Sequence, residues 1–134
     1  MTNHSFSKSE RLTKSKPIES LFNSGESINC FPFKVLYRFS ENEDKNSSCA
    51  QAAFVVPKRL FKKAVDRNSI KRKMKEAYRE NKQELYKTLY GKNQKLEFVV
   101  IYISNENIEY KTVENKMHVL VEMLIKISLK ATCN

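Results

Sequence analysis

Eight residues in the last third of the chain, Leu96 to Ile103 (LEFVVIYI), restrict the fold more than any other stretch. A run so nearly continuous in apolar residues is needed only by a strand covered on both faces. The flanking sequence supplies the cover. Thr112 to Lys130 carries Val113, Met117, Leu120, Leu124 and Ile127 at three- and four-residue steps, the core stripe of an amphipathic helix. Phe31 to Phe39 (FPFKVLYRF) and Gln51 to Val56 (QAAFVV) are aromatic and β-branched enough for two further strands. In the first of these, Phe33, Val35 and Tyr37 point one way and Lys34, Leu36 and Arg38 the other. The second set borders a ligand or is an edge face of snorkelled basic residues.

Around this frame the remaining segments fall into place. Residues 1–14 are polar and rich in Ser and Lys, which predicts a flexible arm. A short helix is expected from Lys16 to Asn23, with Ser15 as N-cap, Pro17 in its first turn and Gly25 as its stop. Ile18, Leu21 and Phe22 share one side of it. Residues 40–49, beginning SENEDKNSS, are expected to form an exposed hairpin loop. The sum is one α+β domain over residues 1–134, a sheet layered with helices.

The charge is concentrated between Val56 and Lys82. That segment has eleven Lys and Arg against three acids, so it supplies eight of the chain's ten net positive charges. Such a field attracts a polyanion. From Asp66, a candidate N-cap, no Gly or Pro interrupts the sequence until Gly91, which predicts one long helix to about Tyr90. At about 100° per residue its side chains sort into three arcs. Ile70, Met74, Ala77 and Leu85 are apolar, Lys71, Arg72, Lys75 and Arg79 are basic, and Glu76, Glu80 and Glu84 are acidic. A merely solvated face would intersperse the signs more evenly.

The same residues, AVDRNSIKRKMKEAYRENK, resemble the signature helix of the bacterial ribonuclease P protein family, roughly A-V-x-R-N-x-x-K-R-x-x-R-E-A-F/Y-R. Ala64, Val65, Arg67, Asn68, Lys71, Arg72, Glu76, Ala77, Tyr78 and Arg79 match it. Ser69 stands in the third place of the family's Arg-Asn-Arg triplet, and Lys75 where it has an Arg. Arg11-Leu12, Phe22 and Gly25 fall at family positions nearer the N-terminus.

The resemblance implies a two-layer sandwich with a central mixed four-stranded sheet and a left-handed βαβ crossover, the topology of the second domain of ribosomal protein S5. It implies an RNA-binding subunit of a ribonucleoprotein endonuclease that removes the 5′ leader of precursor tRNA, with catalysis and Mg2+ both held by the RNA. Arg67, Asn68, Lys71, Arg72, Lys75 and Arg79, with Lys58 and Arg59 of the preceding loop, would bind RNA. Ile18, Phe22, Lys34 and Leu36 would line a cleft for the leader, with Phe22 stacking on a base. Ordinary burial against the sheet is the competing expectation for Ile18 and Phe22. The partners implied are the ribonuclease P RNA and precursor tRNA, with no membrane and no obligate protein partner.

No protein catalytic or metal-binding residues are expected. His4 and His118 have no ligand-spaced neighbours, and no nucleophile motif or phosphate loop occurs. The close carboxylate pairs, Glu41 with Glu43 and Glu106 with Glu109, lie in loops. Three widely spaced cysteines and the absence of an apolar leader point to a cytoplasmic protein. Two other readings stay open: a basic ribosomal or structured-RNA-binding protein without a processing role, and a DNA-groove helix. The second is disfavoured because the basic helix follows a strand and loop rather than a helix-turn.

Overall fold

The computed structural model describes residues 10–12, 15–41 and 48–131. Its centre is a four-stranded mixed sheet in the order β1-β2-β4-β3. The strands are β1 (Glu26–Cys30), β2 (Phe33–Glu41), β3 (Ala50–Val55) and β4 (Gln94–Tyr102). β4 is the LEFVVIYI strand. It pairs antiparallel with β2 and parallel with β3, so both its edges and both its faces are occupied. That is why its apolar run is nearly unbroken.

Alternation sorts the strand residues cleanly. Phe33, Val35 and Tyr37 of β2, Ala50, Ala52 and Phe54 of β3, and Leu96, Phe98, Val100 and Tyr102 of β4 face the main core. Leu36 and Val99 face the other way and pack with Leu12 and Leu21. The main core is closed by α2 (Ala64–Asn81), α3 (Gln83–Lys92) and α4 (Tyr110–Ala131). α1 (Ser15–Ser24) covers part of the opposite face through Leu21. Val113, Met117, Leu120 and Leu124 of α4 are fully buried, and Ile127 packs at the margin, as their spacing predicts.

Several boundaries differ from expectation. β1 has only Ile28 and Cys30 as apolar residues, too few for periodicity to reveal it; it is a strand because Glu26–Cys30 pairs with Phe33–Tyr37 around the cis Phe31–Pro32 peptide. The expected hairpin over residues 40–49 is corrected too. Ser40 and Glu41 belong to β2, Cys49 is wholly buried, and β2 and β3 are separated by β4 rather than paired. Residues 42–47 of that loop lie outside the described residues, as do residues 1–9 and 13–14 of the expected arm. Glu10 and Leu12 are buried, so the arm's last described residues belong to the folded body.

The single long helix is two. α2 stops at Lys82, and α3 continues to Lys92. Gly91 lies inside α3, and Asn93 (φ 54°, ψ 40°) makes the left-handed cap instead, its N–H donating to the Leu89 and Tyr90 carbonyls. Asn is the residue after Gly that best tolerates this conformation. Lys63 rather than Asp66 is the N-cap of α2; Asp66 sits in the first turn, where its charge suits the helix dipole. Gly25 does end α1, but through close approach: a Cβ there would meet the Leu21 carbonyl oxygen at 2.6 Å.

Candidate nucleic-acid interface

The solvent side of α2 forms one wall of an open groove of about 440 Å³, lined by Arg11, Asn68, Lys71, Arg72, Lys75, Glu76 and Arg79. Helical spacing alone places the α2 members there, because Ile70, Met74, Ala77 and Tyr78 take the opposite side into the core. Arg11 arrives from elsewhere in the chain. The Leu12 N–H donates to the Ala52 carbonyl at 2.9 Å, and Arg11 bridges Ala52 in parallel, so the arm hooks onto the free edge of β3. Burial of Glu10 and Leu12 then leaves Arg11 exposed. Sequence reasoning placed Arg11 at a family position without assigning it to the site. The only signal was a three-residue alternation, too short to read.

Positive charges crowd one another here. Lys75 is held below its ordinary value, first by partial burial and then by Arg11 and Lys71. A neighbouring phosphate would relieve both sources of repulsion.

Not every expected RNA-binding side chain faces outward freely. Arg67 Nη1 donates to the carbonyls of Phe61 and Lys62, each at 2.8 Å, so this guanidinium braces the basic loop against α2. Arg79 is clasped by Glu76 and by Glu80, the latter at 2.8 Å, so a basic and an acidic arc meet along this edge. Lys73 is tied down at the surface, donating to Asn107 Oδ1 at 2.7 Å and the Ile108 carbonyl at 3.0 Å. Lys58 and Arg59 are exposed on a turn closed by the Leu60 N–H to the Pro57 carbonyl. Lys82, counted above in the basic segment, is only 2% exposed and pairs with Glu10.

The other sheet face carries the expected cleft residues in a modified arrangement. Phe22 is 52% exposed on α1 and Lys34 is exposed on β2, whereas Ile18 is half-buried. Leu36 is a correction. At 8% exposure it packs with Leu12, Leu21 and Val99 and supports this face from beneath. Arg38 is pinned by Ser20 Oγ at 2.6 Å and Glu97 Oε1 at 3.0 Å.

Among the described residues, no three His, Cys, Asp or Glu side chains converge as a metal site. His118 lies exposed on α4 between Asn81 Oδ1 (3.1 Å) and Glu122 Oε1 (3.2 Å). No helix among the described residues is long and apolar enough to cross a membrane.

Comparison with known proteins agrees with the geometry. A family model described as Ribonuclease P matches residues 6–125. A ribonuclease P protein component from Porphyromonas gingivalis is 35% identical over 123 residues, 91% of this chain and 85% of that protein. Another, from Chlorobium phaeobacteroides, is 40% identical over 84 residues, covering 62% and 58% respectively. The ribonuclease P protein from Thermotoga maritima superposes with a TM-score of 0.64 at 25% identity, over 85% of this chain and 96% of that one. The Staphylococcus aureus protein shares the fold, with a TM-score of 0.62 at 22% identity over 89% and 94%.

Proposed function

Since the chain belongs to the ribonuclease P protein family and is thereby a partner of ribonuclease P RNA, we propose that its α2 groove is the surface that docks on that RNA. The observation carrying the proposal is the convergence of Arg11, Lys71, Arg72 and Lys75 on one open groove from two distant parts of the chain. Each neutralised phosphate releases counterions, and bringing precursor tRNA against a second polyanion requires such neutralisation. Asn68 adds a neutral polar group for phosphate or sugar. Lys58 and Arg59 extend the field along the loop that Arg67 braces. Arg67 then acts by shaping the interface and Arg79 at its edge, where Glu76 and Glu80 share its charge.

On the α1 side, exposed Phe22 and Lys34 offer a ring for stacking and a cation for the backbone of the single-stranded 5′ leader. Ile18 supplies the apolar flank and Leu36 the floor. The protein would hold and position the precursor tRNA while the RNA subunit cleaves it and carries the Mg2+ ions. The place of action is that of the RNA partner, the cytoplasm.

Reconstitution with a bacterial ribonuclease P RNA at low magnesium tests this reading. Precursor tRNA cleavage should be faster with the protein than without it. No acceleration, together with co-sedimentation with ribosomes, would point instead to a structured-RNA-binding protein outside processing.

A further inference from the structure

Where α2 breaks, a lysine and a glutamate lie buried together. Lys82 is 2% exposed and Glu10 6%, and the two form an ion pair. The Tyr86 hydroxyl, one turn into α3, donates to the same Glu10 oxygen at 2.5 Å, and the Tyr78 hydroxyl lies 3.4 Å from that of Tyr86. The Lys82 ammonium also stands 5.2 Å from the centre of the Tyr86 ring. Glu10 thus meets the junction between α2 and α3 and the first turn of α3.

A buried ion pair adds little net stability compared with apolar side chains of the same volume; its best-attested use is to fix one register among several. Register decides which way each side chain of this segment faces. Residues 10–12 lie along β3 through the Arg11–Ala52 bridge and the Leu12–Ala52 hydrogen bond, with Leu12 packed on Leu21, Leu36 and Val99. A slip by one residue would turn Arg11 inward and a neighbour outward. Among the described residues, the one beside the latch is the cation that the groove receives from outside α2.

We infer that the Glu10–Lys82 pair, completed by Tyr86, is a latch that positions Arg11 in the RNA-facing groove. Glu10, Lys82 and Tyr86 are positioning residues; Arg11 makes the contact. The inference rests on the RNA-docking reading of the groove, and its sign separates it from charge counting. Removing Glu10's charge makes the protein more positive, so electrostatics alone predicts tighter binding and a steeper salt dependence. The latch predicts the reverse.

The test uses the full chain and a bacterial ribonuclease P RNA, with affinity measured across salt concentrations for wild type, R11A, E10Q, E10Q/R11A and K71A/R72A. R11A and E10Q should each lower the salt slope by about one, and the double variant should lose no more. Hydrogen exchange without RNA provides the second readout. In E10Q the Leu12 amide should exchange at least about tenfold faster while the Val99 amide in β4 keeps its protection. Wild-type protection at Leu12, or a steeper slope in E10Q, would overturn the latch. If E10Q loses protection throughout, Y86F, which removes only the hydroxyl donor to Glu10, decides by the same two readouts. An unchanged slope in K71A/R72A would instead overturn the RNA reading, and Leu12 exchange would still report on the latch.

Discussion

Arg67 reaches back over the start of α2 and holds Phe61 by its carbonyl oxygen, 2.8 Å from Nη1. The same nitrogen donates to the Lys62 carbonyl. A residue of the most recognisable motif in the chain therefore acts partly inside the protein, shaping the loop that carries Lys58 and Arg59.

Arg67→Ala should accordingly destabilise the fold. Hydrogen bonds to a charged group contribute about 1.5–3 kcal/mol when buried, and partial exposure reduces this to about 1–2 kcal/mol here. Arg72→Ala, at an exposed position, should stay within about 0.5 kcal/mol of wild type. Urea denaturation of the two variants side by side checks the difference. Equal stability would mean that the bonds from Arg67 to the loop carry no weight in solution.

Replacing Lys71 and Arg72 together by Ala should lower the slope of log affinity against log salt by about two, one for each lost phosphate contact. Both residues line the groove away from the core, so the melting temperature should scarcely move. Filter binding over a range of salt concentrations reads the slope. An unchanged value would show that α2 is simply a solvated helix.

Much of this was readable because the relevant physics is local. The parity of β2, the doubly covered β4 and the stripe on α4 follow from burial patterns spanning a few residues. β1 was unreadable, since Ser27, Asn29 and their neighbours become a strand only by pairing with β2. The break at Lys82 has no Gly or Pro to announce it; its buried partner Glu10 lies 72 residues away. For the same reason Lys82 read as one more cation of the basic segment and Arg11 as part of a loose arm. The basic arc of α2 was legible in the sequence, and the arrival of Arg11 beside it from the arm was not.

Phe22→Ala separates packing from recognition. Neighbouring Leu21 is fully buried, and its truncation should cost about 2–5 kcal/mol of stability. Phe22, half outside the fold, should cost far less. If a leader base stacks on it, leader affinity should fall by about 1–3 kcal/mol. Denaturation curves and binding of precursor tRNA with and without its leader measure the two effects. Loss of stability with intact leader affinity would assign Phe22 to the core.

Alkaline pH should expose the buried Cys49. Burial pushes its thiol from the usual 9.0 up to about 11, because the folded interior disfavours the thiolate. The unfolded chain releases that proton near pH 9 and the folded chain does not. The stabilisation is therefore complete below pH 9 and lost between pH 9 and 11, amounting to about 2–3 kcal/mol. Cys49→Ala should flatten the pH dependence of stability between pH 9 and 10. Above that, the buried Tyr78 and Tyr86 hydroxyls, whose values burial also raises, add losses of the same sign. Denaturant midpoints across this range check the effect, and an identical slope in wild type and Cys49→Ala would refute it.

Glu76 restrains the groove that Lys71 and Lys75 open. Its carboxylate, held below the usual carboxylate range by the Arg79 hydrogen bond, stays charged beside the path proposed for RNA. It both repels phosphate and occupies Arg79. Glu76→Gln should do two things at once: remove a negative charge from the wall and loosen one of the two carboxylates clasping Arg79, leaving Glu80. RNA affinity should rise several-fold at low salt and the salt slope should steepen by up to about one, the increase being limited by Glu80, which still shares Arg79. The melting temperature should hold, because the pair lies at the surface. Salt-dependent binding of Glu76→Gln against Arg79→Ala is the decisive comparison. The two should shift the slope in opposite directions, and a Glu76→Gln variant that binds no better than wild type would place the RNA path away from this edge of α2.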